Sequence, residues 1–124
     1  MINYASTENI YKSLREGFGD AIVDICKDNK NVIVLNADLP SSWKLEKLIE
    51  KCPSQYLQIG VSEQNMAGVA YGLAHYGKMP IITSFAAFSP ALNFTQIRLA
   101  AMSNLNLKIV GSHYGLNVGA DGAS

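Results

Sequence analysis

Apolar residues recur at helical spacing over residues 7–28, where Ile10, Leu14, Phe18, Ala21, Ile22 and Ile25 fall on one face. This spacing predicts a helix over 7–28, with Ser6 or Thr7 placed to cap its start. Gly17 and Gly19 oppose it locally, because glycine in a helix interior gives up backbone entropy. The pattern then changes. Residues 32–35 form an unbroken apolar, mostly β-branched run without alternation, which predicts a strand covered on both faces. Residues 36–42 have turn chemistry, and 44–51 predict a short helix halted ahead of Pro53. Residues 56–59 predict a second strand closed by Gly60. Ser62 opens a helix whose stripe is Met66, Val69, Ala70 and Leu73 and whose stop is Gly77. Its many small residues (Ala67, Gly68, Ala70, Gly72, Ala74) predict close packing against a neighbour. A third strand over 81–85, a helix over 91–101 and a fourth strand over 107–111 follow, and 113–124 reads as loop.

Alternating helices and fully covered strands imply an α/β fold, a parallel sheet with helices on both faces. No repeat, linker or low-complexity segment interrupts it. The sequence stops in a loop after the fourth strand with no closing helix, so the expectation is one domain over 1–124, truncated on its C-terminal side or finished by another chain.

Composition narrows the class. A chain of 124 residues can bury one core but not two. Its 48% hydrophobic against 16% charged residues mark it as folded. Ten basic residues balance ten acidic ones, and there is no basic run, so neither nucleic acid nor an acidic membrane is an expected partner. Cys26 and Cys52 fit neither a disulfide framework nor zinc spacing. The first residues lack an export signal and no apolar stretch is long enough for a span, so the expected location is cytoplasmic.

Parallel sheets bind ligands outside the carboxyl ends of their strands. There the sequence places Asp38 after the first strand, Glu63 after the second, Phe85 and Phe88 after the third, and His113 after the fourth with Asp121 further on. Polar and aromatic groups converging on one edge point to a small-molecule site. Each also has a plain structural reading: Glu63 as a helix-dipole partner, the phenylalanines as core, Asp38 and Asp121 as turn residues. His113 can equally be a hydrogen-bonded loop residue, and Arg15 part of a solvated helix face. No phosphate loop, Gly-x-Gly-x-x-Gly, His-Glu-x-x-His or nucleophile elbow is present.

Five segments in one order carry a more specific signal: Asn36-Ala-Asp-Leu39, Ile59-Gly-Val-Ser-Glu-Gln-Asn-Met-Ala-Gly68, Thr83-Ser-Phe-Ala-Ala-Phe88, Ser103-Asn-Leu-Asn-Leu-Lys-Ile-Val110 and His113-Tyr-Gly-Leu-Asn-Val-Gly-Ala-Asp-Gly122. Together they resemble the pyrimidine-binding domain of transketolase, in the form where the enzyme is split between two chains. The resemblance runs from about residue 10 to the end, with the thiamine diphosphate-binding fold that it implies. It makes Glu63 the carboxyl that pairs with N1′ of the aminopyrimidine and shares its proton, and Phe85 and Phe88 the cradle of that ring. Ala91 stands where the family has a third aromatic, so the cradle is thinner. Arg15, Ser42 and His113 match groups that hold the sugar phosphate, a role suited to a guanidinium fork and short donors. Asp121 matches the residue that recognises a donor-sugar hydroxyl, and Asp38 an aspartate near the cofactor.

Two departures shape the implied function. The His-Gln pair that follows this loop in the family is absent, the sequence stopping at Ser124. Also absent is the Gly-Asp-Gly motif through which another domain holds the diphosphate and its divalent metal, Mg or Ca. The resemblance therefore implies part of a thiamine diphosphate-dependent transketolase that moves a two-carbon ketol unit between sugar phosphates. Such a part is active only with a diphosphate-binding partner subunit, in a homo- or hetero-oligomer, and inactive alone. The rivals are a 1-deoxyxylulose-5-phosphate synthase-like part, disfavoured by the Phe85–Phe88 and Ser103–Asn106 segments, and a non-catalytic interaction fragment.

Overall fold

A computed structural model describes residues 13–114. Helix α1 spans Leu14–Asp28, β1 Val32–Asn36, α2 Glu46–Lys51, β2 Tyr56–Gln58, α3 Glu63–His75, β3 Met79–Phe85, α4 Phe94–Met102 and β4 Lys108–Ser112. The four strands form one sheet in the order β2-β1-β3-β4. Every neighbouring pair is parallel, with Val34 level with Tyr56 and Ile81, and Phe85 level with Ser112. The expected α/β fold is thus present, and parallel pairing sends all four strand ends to one edge.

Burial explains why β1 reads as it does. All five of its residues are buried, because side chains alternate between two covered faces. Val32 and Val34 join Ile22, Val23 and Cys26 of α1, Leu48 of α2 and the connecting Trp43 and Leu45. Ile33, Leu35 and Ala37 face the other way, onto Met66, Ala67 and Ala70 of α3. The small residues of α3 do allow close packing: Ala67, Ala70 and Ala74 are buried. Gly68 and Gly72 lie on its exposed side.

Four boundaries differ from the expectation by more than one residue. Helix α1 begins at Leu14 with Ser13 as its cap, while residues 7–12 of the expected helix, and Ser6 and Thr7 as its expected caps, lie outside the described residues. The Ser13 hydroxyl accepts from the Glu16 N–H at 3.2 Å, and the Glu16 carboxylate accepts from the Ser13 N–H at 3.1 Å. This reciprocal box satisfies two donors that a helix start leaves open; apolar spacing alone does not mark where that happens. Helix α2 starts at Glu46 because Lys44 takes a left-handed turn, φ 57°. The helix expected over 91–101 is a 3₁₀ turn, Ala91–Asn93, followed by α4. The third strand starts earlier, at Met79, where its N–H reaches the Asn31 carbonyl at 2.8 Å. Among the described residues no helix is long and apolar enough to cross a membrane.

The two glycines of α1 behave differently. A Cβ on Gly19 would lie 2.4 Å from the Lys44 carbonyl oxygen, so α1 touches the β1–α2 connection there backbone to backbone. A Cβ on Gly17 would meet nothing within 4 Å. Gly19→Ala is expected to cost about 2 kcal/mol through overpacking. Gly17→Ala should instead add up to about 1 kcal/mol from helix propensity. Urea denaturation of the two variants beside the parent checks both signs.

Cys26 is fully buried. Burial, reinforced by the neighbouring Cys52 and opposed by Lys30, pushes its thiol up to about 11 from 9.0. Native Cys26 at pH 8 should therefore react with iodoacetamide on the order of 100-fold more slowly than in the unfolded chain, in proportion to its thiolate fraction. The folded state holds this proton more tightly than the unfolded one, so the stabilisation is complete below pH 9 and is lost as pH rises through 11. Mass spectrometry of alkylated peptides with and without urea tests the rate ratio.

Candidate functional site

The carboxyl edge is organised by buried polar groups. Asn36, fully buried at the end of β1, donates its amide to the Thr83 hydroxyl at 2.8 Å. Its own carbonyl oxygen accepts from the Leu39 N–H at 2.6 Å. The Thr83 hydroxyl donates onward to the Leu35 carbonyl at 3.0 Å. These bonds fasten β1 to β3 and start the turn that carries Asp38.

Asp38 is exposed and left-handed, φ 60°. Its carboxylate accepts from the Gln58 amide at 3.1 Å. Gln58 in turn accepts from the N–H groups of Asp38 at 2.8 Å and Gly60 at 3.1 Å. Asp38 is thereby held to the end of β2. Burial, followed by the Asp38 charge, pushes the phenol of nearby Tyr56 upward.

Glu63 is the first residue of α3, and only 7% of it is exposed. A carboxylate is favoured there because the unpaired N–H groups of the first turn carry partial positive charge. The fully buried Ser84 hydroxyl donates to Glu63 Oε1 at 3.0 Å. Strand alternation turns Ser84 toward α3, as it does Ile82, and so brings it to Glu63. Among the described residues, Glu63 Oε2 has no hydrogen-bond partner.

Phe85 and Phe88 bracket a turn that leaves β3. Their ring centroids are 6.4 Å apart and tilted by 33°, with Phe88 37% exposed. The turn lies tightly on β4: the Ala86 N–H reaches the Ser112 carbonyl at 2.8 Å, and a Cβ on Gly111 would come within 2.9 Å of the Ser89 carbonyl oxygen. The His113 ring also packs on Phe85, its centroid 4.3 Å away and tilted by 52°. The Ser112 hydroxyl and His113 Nδ1 share a hydrogen bond of 2.8 Å.

Beside His113 opens a cavity of about 610 Å³, lined by Leu14, Arg15 and Phe18 of α1, by Trp43, and by residues 110–114. Arg15 Nη1 donates to the Ser42 carbonyl at 2.9 Å. Trp43 is buried edge-on to Phe18, with centroids 5.2 Å apart. Arg15 and His113 are therefore brought to one cavity although they stand near opposite ends of the described chain. Ser42 joins them through its backbone, its carbonyl orienting the guanidinium. Phe85 links this cavity to the aromatic pair. Asp38 is held apart by Gln58, and Asp121 lies outside the described residues.

Sequence reasoning missed Ser84, Asn36 and Gln58. Ser84 had one signal, its place beside Phe85 at a strand end. Ala91, at the position of the third expected aromatic, is exposed at the start of the 3₁₀ turn. Among the described residues no three His, Cys, Asp or Glu side chains gather as metal ligands do.

Comparison with known proteins meets the same frame. Residues 11–124 match the family model described as transketolase, pyrimidine binding domain. A protein of Methanocaldococcus jannaschii described as a transketolase C-terminal section is 40% identical over 116 residues, which is 93% of this chain and 37% of that protein. A 6-deoxy-6-sulfo-D-fructose transketolase subunit of a Clostridium species is 33% identical over 112 residues, 90% of this chain and 35% of that subunit. Among solved structures, a split-gene transketolase described as an inactive β4 tetramer superposes with a TM-score of 0.71 at 37% identity, covering 80% of this chain and 33% of that one. The chain thus spans about a third of the length of these relatives.

Proposed function

The chain belongs to the transketolase family through its pyrimidine-binding domain, and we propose that it serves as one part of a thiamine diphosphate-dependent transketolase that transfers a two-carbon ketol unit between sugar phosphates. The observation that carries this reading is Glu63: a buried carboxylate with one oxygen held by Ser84 and the other without a described partner. Such an oxygen fits the ring nitrogen N1′ of an aminopyrimidine, with which it can share a proton. Phe85 and Phe88 begin one residue beyond Ser84 and offer a partly exposed aromatic pair for the same ring. When bound, the cofactor supplies the nucleophilic carbon that carries the transferred unit.

The remaining residues divide by chemistry. Arg15, oriented by Ser42, and His113, steadied by Ser112 and Phe85, would receive the phosphate of the sugar. An arginine fork suits a dianion because charge-assisted bonds to it are short and directional. Asp121 would accept from a donor-sugar hydroxyl, and Asp38 would stand near the cofactor as a ligand of the loop. The diphosphate and its Mg or Ca ion would be held by a partner subunit, in an assembly of several chains. Relatives that are a transketolase C-terminal section, a transketolase subunit and a split-gene transketolase whose β4 tetramer is inactive support that division. The transketolase descriptions of these relatives favour this reading over a 1-deoxyxylulose-5-phosphate synthase-like part.

The decisive experiment combines this chain with a diphosphate-binding transketolase subunit, thiamine diphosphate and magnesium, and follows ketol transfer. Glu63→Gln is expected to lower kcat by roughly 10²–10⁴-fold, the range for loss of a proton-transfer group. Undiminished turnover in that variant would sink the assignment, and a stable but inactive parental complex would leave an interaction fragment in its place. In the same assay Arg15→Ala should raise KM for phosphorylated acceptors by about 10–100-fold, as for a lost charge-assisted bond. KM for an unphosphorylated aldehyde should barely change; equal losses for both acceptors would remove Arg15 from the phosphate site.

A further inference from the structure

We infer that Ser84 is a positioning residue that decides which oxygen of Glu63 carries the proton. The Ser84 hydroxyl is fully buried, and among the described residues its one hydrogen bond is the 3.0 Å contact to Glu63 Oε1. A serine hydroxyl has one proton to donate, and leaving a buried donor unpaired is costly. Glu63 can be neutral in two ways. With the proton on Oε1, that oxygen would donate to Ser84, and the Ser84 O–H would have nowhere to point. With the proton on Oε2, Oε1 is the carbonyl oxygen and goes on accepting from Ser84 unchanged. Only the second form keeps the Ser84 hydroxyl donating, and it leaves the Glu63 proton free for a ligand at Oε2.

Ser84 therefore does two things to one carboxyl. It anchors Oε1 in both protonation states, so the side chain need not turn when the proton arrives or leaves. It also delivers the proton always on Oε2, the oxygen without a described partner. This inference rests on the proposed placement of an aminopyrimidine against Glu63 only for its purpose; the Ser84–Glu63 relation stands on its own geometry. The proton is neither gained nor lost in the device. It is confined to one of two oxygens, which a water-exposed carboxyl would interchange freely.

Infrared difference spectroscopy on the full chain in complex with the diphosphate-binding subunit tests it directly. The C=O band of protonated Glu63 is identified in acid by its disappearance in Glu63→Gln. If Ser84 donates to the carbonyl oxygen, Ser84→Ala moves that band to higher wavenumber, and Ser84→Thr, which keeps the hydroxyl, leaves it in place. Ser84→Cys, a weaker donor of similar size, gives an intermediate shift and serves if the alanine variant folds poorly. A band unmoved by Ser84→Ala, or moved equally by Ser84→Thr, would overturn the inference. Thiamine diphosphate is then added. Its dissociation constant should rise about fivefold in Ser84→Ala, as for one neutral hydrogen bond, and recover in Ser84→Thr. An infrared contrast that holds while the cofactor leaves the band untouched would support the role of Ser84 and remove the cofactor from Glu63.

Discussion

Asn36 and Thr83 are buried polar side chains at the point where β1 and β3 end, and each is tolerable there because the other satisfies it. A lone amide or hydroxyl in that position would carry a desolvation cost with no return. Paired, they fix the two central strands in register at their carboxyl ends, and the surrounding edge takes its dimensions from that point. One residue on from Thr83, alternation turns Ser84 to the α3 face, where Glu63 waits. One residue further, Phe85 returns to the face of α1 and meets His113. The turn after β1 starts on the same network, where the Leu39 N–H donates to the Asn36 side-chain oxygen. A single polar staple thus sets the spacing between groups on both faces of the sheet.

Around that edge the molecule makes two neighbouring environments of different character. The Glu63 side is enclosed, with a carboxylate fixed by one hydroxyl at a helix start. The Arg15 side is roomy, with a guanidinium steered by a carbonyl and a histidine held by a hydroxyl. Phe85 contacts both Phe88 and His113. Gly111 lets the turn after Phe85 lie close against β4, since any side chain there would press on the Ser89 carbonyl. The division suits a ring to be gripped and a phosphate to be admitted, which is the chemistry proposed for the two places.

Much of this was legible in the residues. The unbroken apolar run of β1 announced a doubly covered strand, and the stripe of α3 between Ser62 and Gly77 gave that helix nearly to the residue. Starts were harder, because apolar spacing continues past a cap and only the Ser13–Glu16 exchange shows where α1 begins. The turn at Lys44 carries no local sign, since a non-glycine residue does not announce a left-handed conformation; it lies where Lys44 comes against Gly19. In the site, the family resemblance points to Glu63, Phe85, Phe88, Arg15 and His113, and the fold brings the last four into connected positions. Ser42 was read for its hydroxyl and is met through its carbonyl. Ser84 and Gln58 went unread because a buried hydroxyl and an edge amide have no sequence pattern; their partners lie 21 and 20 residues away.

The cavity beside His113 is built from α1 and the end of β4, the first and last elements described. No local folding step can assemble it; α1 and β4 must both have docked on the sheet before Arg15 and His113 share a space. A dianion seated there would bridge the first and last described elements and bind only the fully folded form. It would then raise the free energy of unfolding by RT ln(1 + L/Kd), where L is its free concentration, a term that grows with that concentration. Through this one cavity, the concentration of such a dianion would help to set how long the folded chain persists.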